Sequence, residues 1–432
     1  MREASLRLFK SKIARNAASL YLVQACRKLV PFFTLPYLAR VLGPSGWGDV
    51  AYAVSLGELL ALFIEFGFVL STTRDLAQNK SSDEACSLIA SGTLGAQAVL
   101  ATAASLLTCL VATQVPLLRE HPNLLYAALF YGVSQGISPL WLFQGLERMS
   151  LAAILEVAAK IAGLVGIFVF VHLPADSWKV LVCLSVAPVV SCIFGLWMVH
   201  KLLRLRVPTF AMIWSALQGG WPMFVLRGGM AAYSTVNVLI LAIFAPAGIV
   251  GYYASAEKIS RAIQGLLMPI RDAFYPRLSH LAAHSPEDNA RLTQLSALIE
   301  VGVGIVLSIT TWLCAPMIMR AFFGNSFTAA IPILRILAVL PFILSISDAI
   351  GFQSLLPAGK ESLLTKIIIA GGLINCALAF VLAPRFKASG MAFSVATTEA
   401  CICIILILVV VRTTSLFRRQ GAGRLDAVVS NP

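Results

Sequence analysis

Apolar runs of membrane-spanning length follow one another almost without pause along this chain, which leaves few folds open to it. A bilayer core about 30 Å thick is crossed by roughly 20 apolar residues in an α-helix. Windows of that kind predict about twelve helices, at 13–42, 47–69, 86–113, 122–144, 151–172, 178–200, 221–245, 250–275, 293–315, 328–356, 362–383 and 388–411. The runs are too long and too evenly apolar for amphipathic surface helices. Hydrocarbon admits only structures that satisfy their own backbone polar groups. With 59% hydrophobic and 12% charged residues and a mean hydropathy of +0.85, an ordinary soluble domain is excluded. The expected fold class is an all-α integral membrane protein.

Met1 to Arg15 is basic, and the helix after it is too long for a signal-peptide core, so that helix is expected to stay as an anchor. Lys and Arg in the short loops give the orientation. One set of loops and ends holds Arg2, Arg7, Lys10, Lys12, Arg15, Arg74, Lys80, Arg148, Lys201, Arg204, Arg206, Arg277, Arg291, Lys360, Arg412, Arg418, Arg419 and Arg424. The other holds Arg40, Arg119, Lys179, Arg320, Arg385 and Lys387. The imbalance places both termini in the cytoplasm. It also accounts for most of the formal charge of +13 without nucleic acid, the basic ends being suited to anionic lipid headgroups. The nine cysteines lie almost entirely within predicted helices, contain no Cys-x-x-Cys, and read as small packing residues.

The stretch from Arg204 to Gly220 reads as a linker between halves 1–206 and 207–432, with Phe210 to Leu217 as a short helix on the cytoplasmic surface. The turn Leu42-Gly-Pro-Ser-Gly-Trp-Gly-Asp-Val-Ala-Tyr-Ala53 after the first helix resembles Phe244-Ala-Pro-Ala-Gly-Ile-Val-Gly-Tyr-Tyr-Ala-Ser-Ala256 after the seventh, as two aligned repeats would. Pro31, Pro36, Pro139, Pro188, Pro269 and Pro341 are expected to kink or curve their helices.

Charges inside the spans are the functional signal. A cation near the bilayer centre costs on the order of 3 kcal/mol or more unless it meets a partner or a wet cavity. Arg27 and Lys28 sit near the middle of the first span, and the anomaly recurs at Lys160, Arg227, Arg261, Arg271, Arg335 and Lys366. Gln24, Arg27 and Pro31 share a helix face. That face either lines a cavity or pairs with Glu58 or Glu65, which are themselves seven residues apart on one face. Arg227 and Asn237 share a face of the seventh helix, although Arg227 is close enough to its end to reach headgroups. Lys258 and Arg261 fall on a polar stripe of the eighth helix, where Glu257 is placed to pair with Arg261. Asp348 and Glu399 are single acids within spans, suited to gating or proton transfer. No P-loop is present, and His280 with His284 lacks a third ligand, so no cofactor or metal is called for.

Three stretches carry a family resemblance. They are Leu35-Pro-Tyr-Leu-Ala-Arg-Val-Leu-Gly43, Pro139-Leu-Trp-Leu-Phe-Gln-Gly-Leu-Glu-Arg148, and Val250-Gly-Tyr-Tyr-Ala-Ser-Ala-Glu-Lys-Ile259 running on to Phe274-Tyr-Pro-Arg277. The chain resembles the polysaccharide-export flippases, the Wzx-type O-antigen and exopolysaccharide repeat-unit translocases of the multidrug/oligosaccharidyl-lipid/polysaccharide exporter superfamily. The resemblance implies two six-helix bundles around a central cavity, no enzymatic activity, and an undecaprenyl-diphosphate-linked oligosaccharide moved to the periplasmic leaflet of a bacterial inner membrane. It also implies a polymerase and glycosyltransferases as partners. Basic cavity residues for the diphosphate are then expected among Arg27, Lys28, Arg227 and Arg261, with Gln24, Asn237, Lys258 and Lys160 beside them. Glu58, Glu65, Asp348 and Glu399 are expected to couple or gate. A cation-coupled drug exporter of the same fold calls for acids to dominate the cavity. A membrane glycosyltransferase or polymerase calls for a larger outside loop. A lipid II flippase is a near relative of the favoured reading, set apart by additional helices.

Overall fold

The computed structural model describes the backbone of residues 2–113, 116–145, 149–203, 205–355 and 359–429. Side chains are described from 34 to 410, except 114–117, 146–155, 202, 204, 230, 232–234, 282–283, 286–287, 290, 352, 354, 356–358 and 361. Among the described residues there is no β-strand. The helices are α1 (Arg2–Glu65), α2 (Phe68–Gln78), α3 (Asp83–Ala112), α4 (Pro116–Glu120), α5 (Pro122–Gly136), α6 (Leu140–Gly145), α7 (Met149–Phe170) and α8 (Ser177–Leu202). They continue as α9 (Phe210–Ser234), α10 (Val236–Phe244), α11 (Ala247–Gln264), α12 (Met268–His284), α13 (Pro286–Phe323), α14 (Ile331–Leu337), α15 (Leu340–Ile350) and α16 (Glu361–Val429). With local breaks bridged, the described residues make twelve helices of membrane-crossing length, as the apolar windows indicate. Six stretches are long and apolar enough to cross a membrane by length and composition: Thr34–Gln78, Asp83–Ala112, Pro174–Lys201, Arg291–Phe323, Asn325–Ile350 and Ser362–Val410.

The breaks have local causes. Inside α1 the turn between the first two predicted helices narrows to Gly43, at φ 66° and ψ −178°, a conformation open essentially to glycine. α1 then ends at Glu65, because Phe66 (φ 46°) and Gly67 (φ 80°) both turn left-handed before α2 resumes. The prolines act less as kinks than the sequence suggests. Pro139 lies between α5 and α6, and Pro269 and Pro341 occupy the first turns of α12 and α15, where a missing N–H leaves no bond unmade. Pro188 is carried inside α8 and Pro36 inside α1 without a break, and the side chain of Pro31 lies outside the described residues.

The expected linker is shorter than 204–220. Among its described residues only 205–209 is non-helical, and the Thr209 hydroxyl accepts from the Met212 N–H to start α9. Phe210 to Leu217 is therefore the first part of the seventh spanning helix, not a separate surface helix. Gly219 and Gly220, which suggest a loop in the sequence, both lie within α9, and Gly220 serves packing. A Cβ on Gly220 would lie 2.6 Å from the Phe66 carbonyl oxygen.

The chain divides into two compact units, Met1–Gly251 with Ala321–Ser326, and Tyr252–Arg320 with Phe327–Pro432. The first has a core of Phe68, Leu76, Trp141, Leu142, Phe143 and Val199. The second is centred on Leu355, Leu364, Ile367, Ile402 and Leu406. In a bilayer such contacts gain little from expelling water, so helix association depends on close packing through small residues. α5 meets α1 this way. Its Gly132 and Gly136, four residues apart, lie on Leu60 and Ile64, where added Cβ atoms would approach within 2.7 and 2.5 Å. Gly57 of α1 answers from the other side, 2.5 Å being the distance from its would-be Cβ to the Tyr131 ring.

The two turns that look alike in sequence also meet. A Cβ on Gly48 would fall 1.8 Å from the Ala247 carbonyl oxygen, and one on Gly251 would fall 2.0 Å from that of Pro44. Backbone therefore lies on backbone at the start of both helices.

Candidate functional site

The α1–α5 seam fixes one wall of a cavity of about 440 Å³ in the first unit. Tyr131 and Gln135 each precede one of the seam glycines, so the packing that buries Gly132 and Gly136 turns these two polar side chains into the cavity. Glu58 and Glu65 come from α1, two turns apart on one face, and Arg227 comes from α9.

The left-handed break places the acid against the base. Gly67 lies on α9, where a Cβ would be 2.6 Å from the Cβ of Met223 and 2.9 Å from the Gly220 oxygen. The Phe66 ring stacks on Phe224, centroids 4.5 Å apart and planes 12° from parallel. Arg227 follows Met223 and Phe224 by four and three residues, hence on the same helix face. Glu65 immediately precedes Phe66, and the Arg227 guanidinium donates to its carboxylate. The Thr235 hydroxyl donates to Glu58 over 3.3 Å. The described lining thus brings together three of the residues singled out in the sequence, Glu58, Glu65 and Arg227, and adds Tyr131 and Gln135, which the sequence reading passed over. Glu65, considered above as a partner for Arg27, is held by Arg227.

The side chains of Gln24, Arg27 and Lys28 lie outside the described residues. Asn237 is buried in α10, 1% exposed. Lys160 is not a solitary cation: Glu156, one turn earlier on α7, accepts from it at 2.7 Å. In the second unit Arg261 pairs with Glu257 at 2.7 Å as the spacing predicts, and Lys258 beside it is exposed. Arg271 lies 3.7 Å from Asp348, and the Arg335 guanidinium lies over the Trp312 ring, 5.1 Å from its centroid. Glu399 is buried in α16. Most intramembrane cations expected to stand out therefore have a described acid or aromatic beside them.

One buried acid escaped the sequence reading. Glu300, in the middle of α13, is 0% exposed and accepts from the Gln353 amide. The signal was present, a lone carboxylate in an apolar span, but its amide partner is 53 residues away and sits in the π-helical turn Gly351–Leu355.

The fold is that of an all-α membrane transporter. It aligns with a multidrug resistance MATE family transporter of the MOP superfamily in an inward-facing conformation, at TM-score 0.65 and 12% identity, over 91% of this chain and 99% of that one. It aligns with the lipid II flippase MurJ, in its inward closed conformation, at TM-score 0.70 and 12% identity, over 91% of this chain and 87% of that one. At that identity these likenesses establish the fold and nothing finer. Residues 13–282 match the family described as polysaccharide biosynthesis protein. The chain is 30% identical over 91% of its length to a Shigella dysenteriae protein named "Putative O-antigen transporter", covering 98% of that protein. It is 29% identical over 94% of its length to one of the same name from Escherichia coli strain K12, again covering 98% of it. The chain belongs to the polysaccharide biosynthesis protein family.

Proposed function

We propose that this protein flips undecaprenyl-diphosphate-linked oligosaccharide repeat units from the cytoplasmic to the periplasmic leaflet of a bacterial inner membrane, for O-antigen or exopolysaccharide synthesis. The observation that carries the reading is similarity along nearly the whole chain to proteins named for O-antigen transport. The charged cavity at membrane depth supports it. A diphosphate cannot cross bare hydrocarbon, and an intramembrane guanidinium offers it charge-assisted, bidentate hydrogen bonds. The polyprenyl chain stays in lipid while the sugars pass through the protein.

Arg227 is the described residue best suited to the diphosphate. The Glu65 carboxylate already occupies a phosphate-like position on its guanidinium. Substrate binding is then an exchange of one anion for another, which spares Arg227 from standing unpaired between cycles. The described lining holds two acids and one base, so the excess positive charge falls in this reading to Arg27 and Lys28, with Gln24 beside them. Arg261, Lys258, Lys160 and Asn237 are placed on the substrate route, and Glu58, Glu65, Asp348 and Glu399 in coupling or gating. The bundles are taken as 1–206 and 207–432, rocking about a central cavity, with both termini cytoplasmic. The polymerase and glycosyltransferases of the same pathway are the proposed partners.

Complementation of a flippase-deficient strain tests this. Arg227→Ala and Arg27→Ala should abolish surface glycan while membrane abundance stays normal, and Arg227→Lys should restore part of it. Normal glycan in both alanine variants would refute the assignment of the diphosphate to these residues.

A further inference from the structure

The second unit contains a polar cluster that diphosphate binding does not use. Glu300 is wholly enclosed within α13. Its Oε2 accepts from Nε2 of Gln353, also buried at 1% exposure, and the buried Ser296 hydroxyl lies 2.5 Å from Gln353 Oε1. The other carboxyl oxygen, Oε1, meets no hydrogen-bond donor among the described residues. Gln353 is presented by a π-helical turn, a rare geometry found frequently at functional sites.

The surrounding charges do not balance. From α15, Asp348 lies within electrostatic reach of Glu300, and from α12 so does Arg271. Arg271 is already shared between Asp348, at 3.7 Å, and Asp272, at 3.4 Å. Three carboxyl groups therefore face one guanidinium among the described residues. A fully enclosed carboxylate without its own counter-charge is untenable in hydrocarbon. Among the described residues the site is short of positive charge, and the unpartnered oxygen of Glu300 is a place for a proton.

We propose that Glu300 is a proton-binding site, with Gln353 and Ser296 as the residues that position it. The step is a simple transfer: a hydronium ion gives its proton to Oε1, an O–H bond forms on the carboxyl as one breaks on the hydronium, and water departs. Release reverses it. Arg271 is the built-in competitor, since its positive charge favours the ionised form of Glu300 while its guanidinium also lies 3.7 Å from Asp348. A metal ion fits the site poorly. Hard cations take about six oxygen ligands, the cluster presents one uncommitted carboxyl oxygen, and no group of three acidic, His or Cys side chains among the described residues is placed to hold a metal. The site does not depend on the nature of the cargo. Its use in driving transport rests on the flippase reading.

Infrared titration of the full-length protein in liposomes tests the site without any substrate. Wild-type protein should show a protonated-carboxyl C=O band that comes and goes with pH, and Glu300→Gln should remove it while the amide bands stay intact. Gln353→Leu keeps the acid but removes its described donor, so the midpoint should move by about tenfold in proton concentration. This second variant keeps the question open to test even if Glu300→Gln folds poorly. A spectrum unchanged in both variants overturns the proposal. So does a band displaced by sodium at constant pH, which would make the site one for a metal cation. Loss of pH dependence in glycan export by Glu300→Gln, with the band present in wild type, would tie the site to transport. A titrating band with no glycan export in wild type would refute the flippase reading alone.

Discussion

Replacing Gly136 by alanine should loosen the wall of the Arg227 cavity by a calculable amount. The new Cβ would lie 2.5 Å from Ile64 Cβ, 2.8 Å from its Cγ2 and 3.2 Å from the Ala61 Cα. Carbon atoms rest at about 3.5–4.0 Å, so α1 and α5 must part by roughly 1 Å. Ile64 is 0% exposed and β-branched, which denies it another rotamer. Overpacking of this kind costs about 1–3 kcal/mol. Alanine recovers about 1 kcal/mol through its better helix propensity, leaving a net loss of about 1 kcal/mol. Gly228→Ala supplies the control: it lies in α9 with nothing within 4 Å of its would-be Cβ, so it should be neutral or stabilising by up to about 1 kcal/mol. Unfolding of both variants by SDS titration from a mild detergent should separate them by about 2 kcal/mol. Equal stability would mean that the α1–α5 seam is not close-packed, and the argument that it orients Tyr131 and Gln135 would fall with it.

The Glu65–Arg227 pair should behave as a unit. Glu65→Gln and Arg227→Gln are each expected to destabilise, and the double variant by less than their sum. The coupling should be only about 1 kcal/mol, because the Arg227 side chain is 40% exposed; strict additivity in an SDS-unfolding cycle would deny the pairing. On α7, Lys160→Met alone breaks the ion pair of the less exposed Glu156 and should cost about 2 kcal/mol. Adding Glu156→Gln should restore most of that loss, and a double variant no better than the single would show that the pair carries no mutual dependence.

The spanning helices are legible in the sequence because their signal is local: twenty apolar residues announce themselves wherever they occur. The turn at Gly43 is legible for the same reason, since Leu42-Gly-Pro marks a break whatever surrounds it. The break at Phe66–Gly67 is another matter. Nothing local requires a phenylalanine to turn left-handed, and the shape follows from the fit of Gly67 on Met223 and of Phe66 on Phe224. The π turn at Gly351–Leu355 is hidden likewise. Partners separate along the chain for the same reason: Glu65 and Arg227 are 162 residues apart, so spacing along one helix could not pair them. The pairs four residues apart were within reach. Glu257–Arg261 is legible by that spacing, and Glu156–Lys160 carries the same signal.

The contact between Gly48 and Gly251 limits how the protein can repair itself. A residue that grows at an ordinary interface is often rescued when its neighbour shrinks. Here the facing groups are the main chain at Ala247 and Gly251 on one side and at Pro44 and Gly48 on the other. No smaller residue exists to accept the added volume. Genetic suppressors of a Gly48→Ala or Gly251→Ala defect should therefore be absent from these two turns and, if any arise, lie where the helices can shift as a whole.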